Sequence, residues 1–220
     1  MFQYVLFDLD GTLTDPKTGI TSCVQYALAD AGIEELDLDK LEPFIGPPLT
    51  DSFREFYGFD DEQIKRAIDK YHERFDEKGI FENEIIEGIP ELLKALKDAG
   101  RRVSIASSKP RPLVIRILEH FEIAQYFDTV VGSEFDGRFA TKEAVVEEAL
   151  KQLVPSVYEK EDVAMVGDRK FDIQGARAHG LTGIGVSFGY AGEHELEDAG
   201  ADYIVDTVEE LQRLLLQGSL

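Results

Sequence analysis

Cysteine and positive charge are what this chain has least of. Cys23 stands alone, so no intramolecular disulfide and no cysteine-based metal site can form. A reducing compartment is the simplest home for such a chain. Lysine and arginine number 23 against 44 aspartates and glutamates, a formal charge of −21. A surface this anionic is repelled by phosphate backbones and anionic membranes, which sets nucleic-acid polymers and lipid surfaces aside as partners. A small anion stays open, because a local cation site can hold one inside a negative protein. No apolar run approaches the ~20 residues of a membrane-spanning helix. The opening MFQYVLFDLDGTLTD turns acidic at Asp8 and lacks the basic start and cleavage site of a secretion signal. The expectation is a cytoplasmic protein. No internal repeat and no low-complexity tract is present. The four histidines, His72, His120, His179 and His194, never pair at metal-ligand spacing on one helix and read as structural or solvated.

What the chain does have is a substantial core. Hydrophobic residues make up 43% of 220, which suits one large domain or one domain carrying an insertion. Short, almost wholly apolar stretches recur at Tyr4–Leu9, Arg102–Ala106, Thr129–Val131, Val163–Val166, Gly183–Val186 and Tyr203–Val205. Helical periodicity fills the gaps at Pro90–Ala99, Arg111–Phe121, Lys142–Leu153, Ile173–Ala178 and Val208–Leu216. Alternation of this kind predicts an α/β fold, a doubly wound parallel sheet covered on both faces. Asp15–Glu82 breaks the rhythm. It shows only helical patterns, at Thr21–Ala31, Leu49–Tyr57 and Glu62–Phe75, and it is too long for one crossover. It reads as an inserted all-helical subdomain, with a thicker helical layer on the same sheet as the alternative. Residues 1–14 and 83–220 then form the core.

Ligands of parallel α/β proteins gather at the carboxyl ends of the strands. Those ends carry Asp8, Asp10, Gly11 and Thr12 after the first strand, Ser107, Ser108 and Lys109 after the second, and Asp168 and Asp172 after the fourth. Lys142 opens the helix before the fourth strand, a placement the helix dipole slightly disfavours and therefore a hint of function. Asp8, Asp10 and Asp168 offer hard oxygen ligands without histidine or thiolate, which suits Mg²⁺. Carboxylates so close would repel one another without a cation. Hydroxyls, backbone N–H groups and a lysine can take up phosphate oxygens. Together these are the parts of phosphoryl transfer, where positioning and charge neutralisation supply most of the catalysis. Taken singly, each has a plainer reading: a turn for the DxD, a solvated hydroxyl for Ser107, helix caps for Asp168 and Asp172. The run FREFYGF (Phe53–Phe59) reads as subdomain core, and Gly180–Gly192 as a strand followed by a loop near the site.

Four segments in this order, FDLDGTLTD (Phe7–Asp15), SIASSKP (Ser104–Pro110), Lys142 in ATKEAV, and MVGDRKFDIQGARAHG (Met165–Gly180), resemble the haloacid dehalogenase superfamily. The likeness is to its phosphatase branch with a helical cap, and within it to phosphoglycolate phosphatases and bacterial 5′-nucleotidases. The resemblance spans nearly the whole chain and implies a Rossmann-like core. It implies Asp8 as nucleophile forming an aspartyl-phosphate, and Asp10 as the acid that protonates the leaving oxygen and then activates water. It further implies Ser107 and Lys142 holding the phosphoryl group, aided by Ser108, Gly11 and Thr12. Mg²⁺ falls to Asp8, Asp10 through its carbonyl, and Asp168, with Asp172 supporting them. Ser107 and Ser108 stand where many members have threonine and asparagine. The cap residues Phe44, Gly46, Pro47, Pro48 and Arg54 are expected to touch the leaving group. The expected partner is a small phosphorylated metabolite, and the expected state a monomer or weak homodimer. Three rivals are weighed. A dehalogenase has no need of Asp10, since a halide leaves unprotonated. A sugar phosphomutase carries a histidine that DPKTGIT (Asp15–Thr21) lacks. A phospho-acceptor domain without turnover needs no insertion.

Overall fold

The computed structural model describes residues 2–134, 136–154 and 157–218. Along the chain the regular elements are β1 (Tyr4–Phe7), β2 (Thr14–Asp15), α1 (Lys17–Asp30), α2 (Leu49–Tyr57), α3 (Asp61–Phe75), β3 (Glu84–Ile85), α4 (Ile89–Asp98), β4 (Arg102–Pro110), α5 (Arg111–His120), β5 (Thr129–Ser133) and α6 (Lys142–Leu153). They continue as β6 (Val163–Gly167), α7 (Lys170–Ala178), β7 (Thr182–Val186), α8 (Glu195–Ala199), β8 (Tyr203–Val205) and α9 (Val208–Gln217). The chain divides into two compact units, Met1–Thr14 with Ile85–Leu220, and Asp15–Glu84. The short strands β2 and β3, where the chain leaves and re-enters the first unit, form a two-stranded sheet.

The first unit is built on a six-stranded sheet in the order β5-β4-β1-β6-β7-β8. All of its pairings are parallel. The apolar strands follow from their double-sided burial: Val5, Leu6 and Phe7 are fully buried. Leu6, Ala106, Val131 and Met165 share one core with Val145, Val146 and Ala149 of α6 and Ala176 of α7. Val5 and Phe7 alternate with Leu6 and so face the other side of the sheet, and α4 and α9 pack against each other elsewhere in this unit. β1 lies between β4 and β6, and the chain order reverses there. A crevice at the carboxyl end of β1 is the topological consequence. Phe7 is level with Ile105 of β4 and Val166 of β6. The next residues, Asp8, Ala106–Ser107 and Gly167–Asp168, therefore emerge side by side.

The second unit is helical, as the patterns predict. It holds α1, α2 and α3 with 3₁₀ turns at Leu38–Phe44 and Gly79–Phe81. α3 starts on a reciprocal cap: the Asp60 side chain accepts the Gln63 N–H and the Gln63 side chain accepts the Asp60 N–H. Phe53 and Phe59 are buried and stack with centroids 5.6 Å apart. Gly19 of α1 touches the Gly79 turn so closely that a Cβ there would fall 2.1 Å from the Gly79 carbonyl oxygen.

Two local features differ from the sequence reading. β4 runs to Pro110 instead of ending at Ala106, and its register against β5 shifts between Ser107 and Pro110. The irregularity lets the strand continue while re-aiming the polar residues at its end. The 3₁₀ turn at Leu38–Phe44 and the short helix α8 have no amphipathic period long enough to announce them.

Candidate active site at the carboxyl edge of the sheet

Asp8 follows β1 directly. Its N–H donates to the Val166 carbonyl at 2.9 Å, which ties the residue to β6 just as the strand ends. Lys142 is the first residue of α6, whose Thr141 cap accepts the Ala144 N–H. Only 7% of Lys142 is exposed. Its Nζ lies 2.9 Å from Asp8 Oδ1 and 2.7 Å from Asp172 Oδ1, and donates to the Ala106 carbonyl at 3.1 Å. Burial alone would push its ammonium down; Asp172 and Asp8 outweigh that and hold it above the usual lysine range. Asp172, in the first turn of α7, also accepts the Arg169 N–H at 3.0 Å. Burial raises its carboxyl, and Lys142 offsets part of the rise. Gly167 is required beside it, since a Cβ there would sit 2.1 Å from Asp172 Cγ.

Asp168 is fully buried at the end of β6. Its Oδ2 accepts the Tyr190 N–H at 2.8 Å and its Oδ1 the Thr12 hydroxyl at 3.3 Å. Burial, then the negative charges of Asp172 and Asp8, push its carboxyl well above the usual range. Gly11, at φ +79°, passes so near that a Cβ would meet Asp168 Oδ2 at 2.1 Å. Only glycine satisfies both that φ and that distance.

One carboxylate oxygen from each of Asp8, Asp168 and Asp172 lies within 4.8 Å of the other two. Asp8 Oδ1 and Asp172 Oδ1 are buried and reach Lys142 Nζ by distance, without the alignment of a hydrogen bond. Three buried carboxylates against one ammonium leave uncompensated negative charge among hard oxygen donors. That donor set fits a divalent cation such as Mg²⁺.

Asp10 does not join this trio. Its Oδ2 pairs with Lys109 Nζ at 2.5 Å, both side chains being largely buried. Burial raises its carboxyl and Lys109 opposes the rise. The sequence reading placed Lys109 at this strand end but gave it no role; the structure pairs it with Asp10. Ser107 is buried and its Oγ accepts the Lys109 N–H at 3.3 Å. The Ser108 carbonyl accepts the Ser133 hydroxyl at 2.8 Å. Gly11 and Thr12 differ from expectation. The Gly11 N–H donates to the Thr14 carbonyl and the Thr12 N–H to the Leu9 carbonyl. The Thr12 hydroxyl donates to Asp168 in the acidic cluster. The tight turn after β1 consumes these donors.

The residues expected to meet the leaving group sit in the second unit. Phe44 is buried among Phe53, Phe56 and Tyr57 and belongs to that unit's apolar core, because a ring there gains more from burial than from a solvated groove. Gly46 and Pro47 lead into α2, and the Pro48 carbonyl accepts the Asp51 and Ser52 N–H groups as its cap. Arg54 is exposed and pairs with Asp61 at 2.7 Å.

Lys142 sets its ammonium against the Asp8 and Asp172 carboxylates at once. Set at the switch point of a parallel sheet beside Asp168 and Asp172, Asp8 defines an aspartate-dependent phosphatase. The chain belongs to the haloacid dehalogenase-like hydrolase family, whose model matches residues 5–186. It is 45% identical over 196 residues to a 5′-nucleotidase of Pseudomonas aeruginosa, covering 89% of this chain and 87% of that protein. It is similar to the crystal structure of a predicted phosphatase from Clostridium acetobutylicum, with 46% identity, a TM-score of 0.92 and 99% of each chain covered. It is also 38% identical over 216 residues to the tyrosine-protein kinase PtkA of Mycobacterium tuberculosis, covering 97% of this chain and 72% of that protein. Among the described residues no helix is long and apolar enough to cross a membrane.

Proposed function

We propose that the protein is a Mg²⁺-dependent phosphatase that hydrolyses a small phosphate monoester, a 5′-nucleotide first and phosphoglycolate second, through an aspartyl-phosphate on Asp8. The observation that carries this reading is the buried Lys142, which bridges Asp8 and Asp172. It holds one Asp8 oxygen in place, so the other can attack phosphorus while the ester oxygen leaves. Asp10, two residues on and on a different partner, protonates that oxygen and then takes a proton from the water that cleaves the acyl-phosphate. Ser107 donates to a phosphoryl oxygen. Mg²⁺, when bound by Asp8, Asp168 and the Asp10 carbonyl with Asp172 behind them, would neutralise the charge of the phosphoryl oxygens.

The preference for a nucleotide draws on the 45% identical 5′-nucleotidase. The four motif segments lie essentially in the first unit, which leaves the second, Asp15–Glu84, as the element that selects the leaving group. A second reading, action on a tyrosyl phosphate, draws on the relative that is a tyrosine kinase. Initial rates on nucleoside 5′-monophosphates, phosphoglycolate and a phosphotyrosine peptide, each with Mg²⁺ and with excess chelator, test both. The expected result is Mg²⁺-dependent turnover that is fastest on a small ester. Turnover undiminished by chelator overturns the metal assignment, and preference for the peptide overturns the small-ester reading.

A further inference from the structure

The crossover from β7 to β8 makes a set of contacts that the reaction above does not use. Its start is fixed by the Ser187 N–H on the Val205 carbonyl at 3.0 Å. Gly189 then lies on Asp168, where a Cβ would fall 2.3 Å from Asp168 Cβ. Tyr190 gives its N–H to Asp168 Oδ2. The segment is then pinned by Glu195. Glu195 Oε1 accepts Arg169 Nε and the Lys170 N–H, both at 2.9 Å, and Oε2 accepts the Gly192 N–H at 3.1 Å. The Arg169 and Glu195 side chains are each only 14% exposed. One residue further on, Leu196 is buried against Gly185, where a Cβ would meet its Cδ1 at 2.9 Å.

We propose that Glu195 and Arg169 are positioning residues, a clasp that holds the 187–194 strap on Asp168 and thereby sets the affinity of the acidic cluster for its divalent cation. The proposal rests on the cation reading of that cluster. Asp168 is pressed between two other carboxylates, and the strap's N–H fixes one of its oxygens. Without the clasp the Tyr190 donor drifts, and Asp168 is left to the longer Thr12 hydroxyl bond to hold it beside Asp8 and Asp172. The same loss strips the Arg169 guanidinium of its carboxylate one residue from Asp168, adding positive charge where a cation must bind. Both effects weaken metal binding, and neither touches the reacting atoms. Outer residues that orient metal ligands are typically worth roughly ten- to hundredfold in affinity.

The test is Mg²⁺ titration of the full chain without substrate, read as the rise in melting temperature with metal concentration. Alongside it, kcat is measured at saturating Mg²⁺. Glu195→Gln is expected to raise the apparent Kd for Mg²⁺ roughly tenfold or more while kcat stays within about threefold of the parent. Leu196→Ala loosens the other anchor of the strap without changing any charge and is expected to shift the Kd in the same direction. A merely structural role would lower the melting temperature and leave the Mg²⁺ dependence alone. An unchanged Mg²⁺ dependence in either variant overturns the proposal, as does a kcat that falls as far as the affinity. If Glu195→Gln does not fold, Leu196→Ala decides by itself. A parent protein whose melting temperature ignores Mg²⁺ removes the cation reading and the clasp together.

Discussion

Asp8 and Asp10 are two residues apart and have different partners, Lys142 for one and Lys109 for the other. That difference allows their roles to be separated. Asp8→Asn removes the nucleophile, so no phosphoenzyme forms and turnover vanishes. Asp10→Asn keeps the nucleophile and removes the proton donor and later base, a contribution typically worth ~10²–10⁴-fold. An activated aryl ester needs little protonation of its leaving group, so its first step should survive in Asp10→Asn while hydrolysis of the intermediate stays slow. The expected trace is a burst of aryl alcohol near one equivalent per site, then slow turnover, for Asp10→Asn alone. Identical traces from the two variants would refute this division of labour.

At the scale of elements, two packing arrangements outside the site make stability predictions. Asp128, just before β5, donates its backbone N–H to the Val103 carbonyl at 2.7 Å and accepts the Val103 N–H on its side chain at 2.9 Å. Lys97 and Arg102 lie 3.3 and 3.0 Å from it. Burial pushes its carboxyl up, but the Val103 N–H and the two cations outweigh that and hold it below the ordinary value. A folded pKa below the unfolded ~3.9 gives stability that is present above that value and lost as pH falls through the folded one. Asp128→Asn should therefore cost about 1.5–3 kcal/mol at neutral pH, the usual worth of a hydrogen bond to a charged group. Urea midpoints should show the deficit shrinking below about pH 4; a deficit constant down to pH 2.5 would contradict the assignment. In the second unit, Gly19→Ala drives a methyl into the Gly79 carbonyl, which is backbone and cannot step aside. Overpacking of this kind costs about 1–3 kcal/mol. The expected result is a lower melting temperature for that unit, and an unchanged one would mean that α1 shifts at no cost.

For the whole molecule the question is what the insertion contributes. Replacing Asp15–Glu84 with a short linker leaves Asp8, Asp10, Ser107, Lys142, Asp168 and Asp172 in place. The trimmed core is expected to keep Mg²⁺-dependent turnover of a generic aryl phosphate and to lose at least tenfold of the discrimination between small esters. Discrimination in enzymes comes from contacts to the parts of the substrate that do not react. A folded core with the parent's substrate ranking would place specificity in the first unit.

The sequence by itself determined the layers. Apolar strands of three to six residues alternating with longer periodic stretches allow little besides a parallel sheet under helices, and DxD followed by Gly-Thr at a strand end marks where chemistry belongs. Asp8, Asp168 and Asp172 were legible because they stand at the end of an apolar run or in the loop that follows one. Lys142 was legible from its awkward place at a helix start. Lys109 was named at its strand end but given no role, because a lysine beside two serines does not say what it meets; only the end of β4 brings its ammonium to Asp10. The donors of Gly11 and Thr12 pointed to a phosphate in sequence, and the turn after β1 spends them on Thr14, Leu9 and Asp168. The three rings round Phe44 are likewise invisible in sequence. Tyr190 reaches Asp168, and Arg169 reaches Glu195, across more than twenty positions in each case. Periodicity records which face of an element is buried; it does not record which hydrogen-bond partner a polar group meets, and only the tertiary structure decided that.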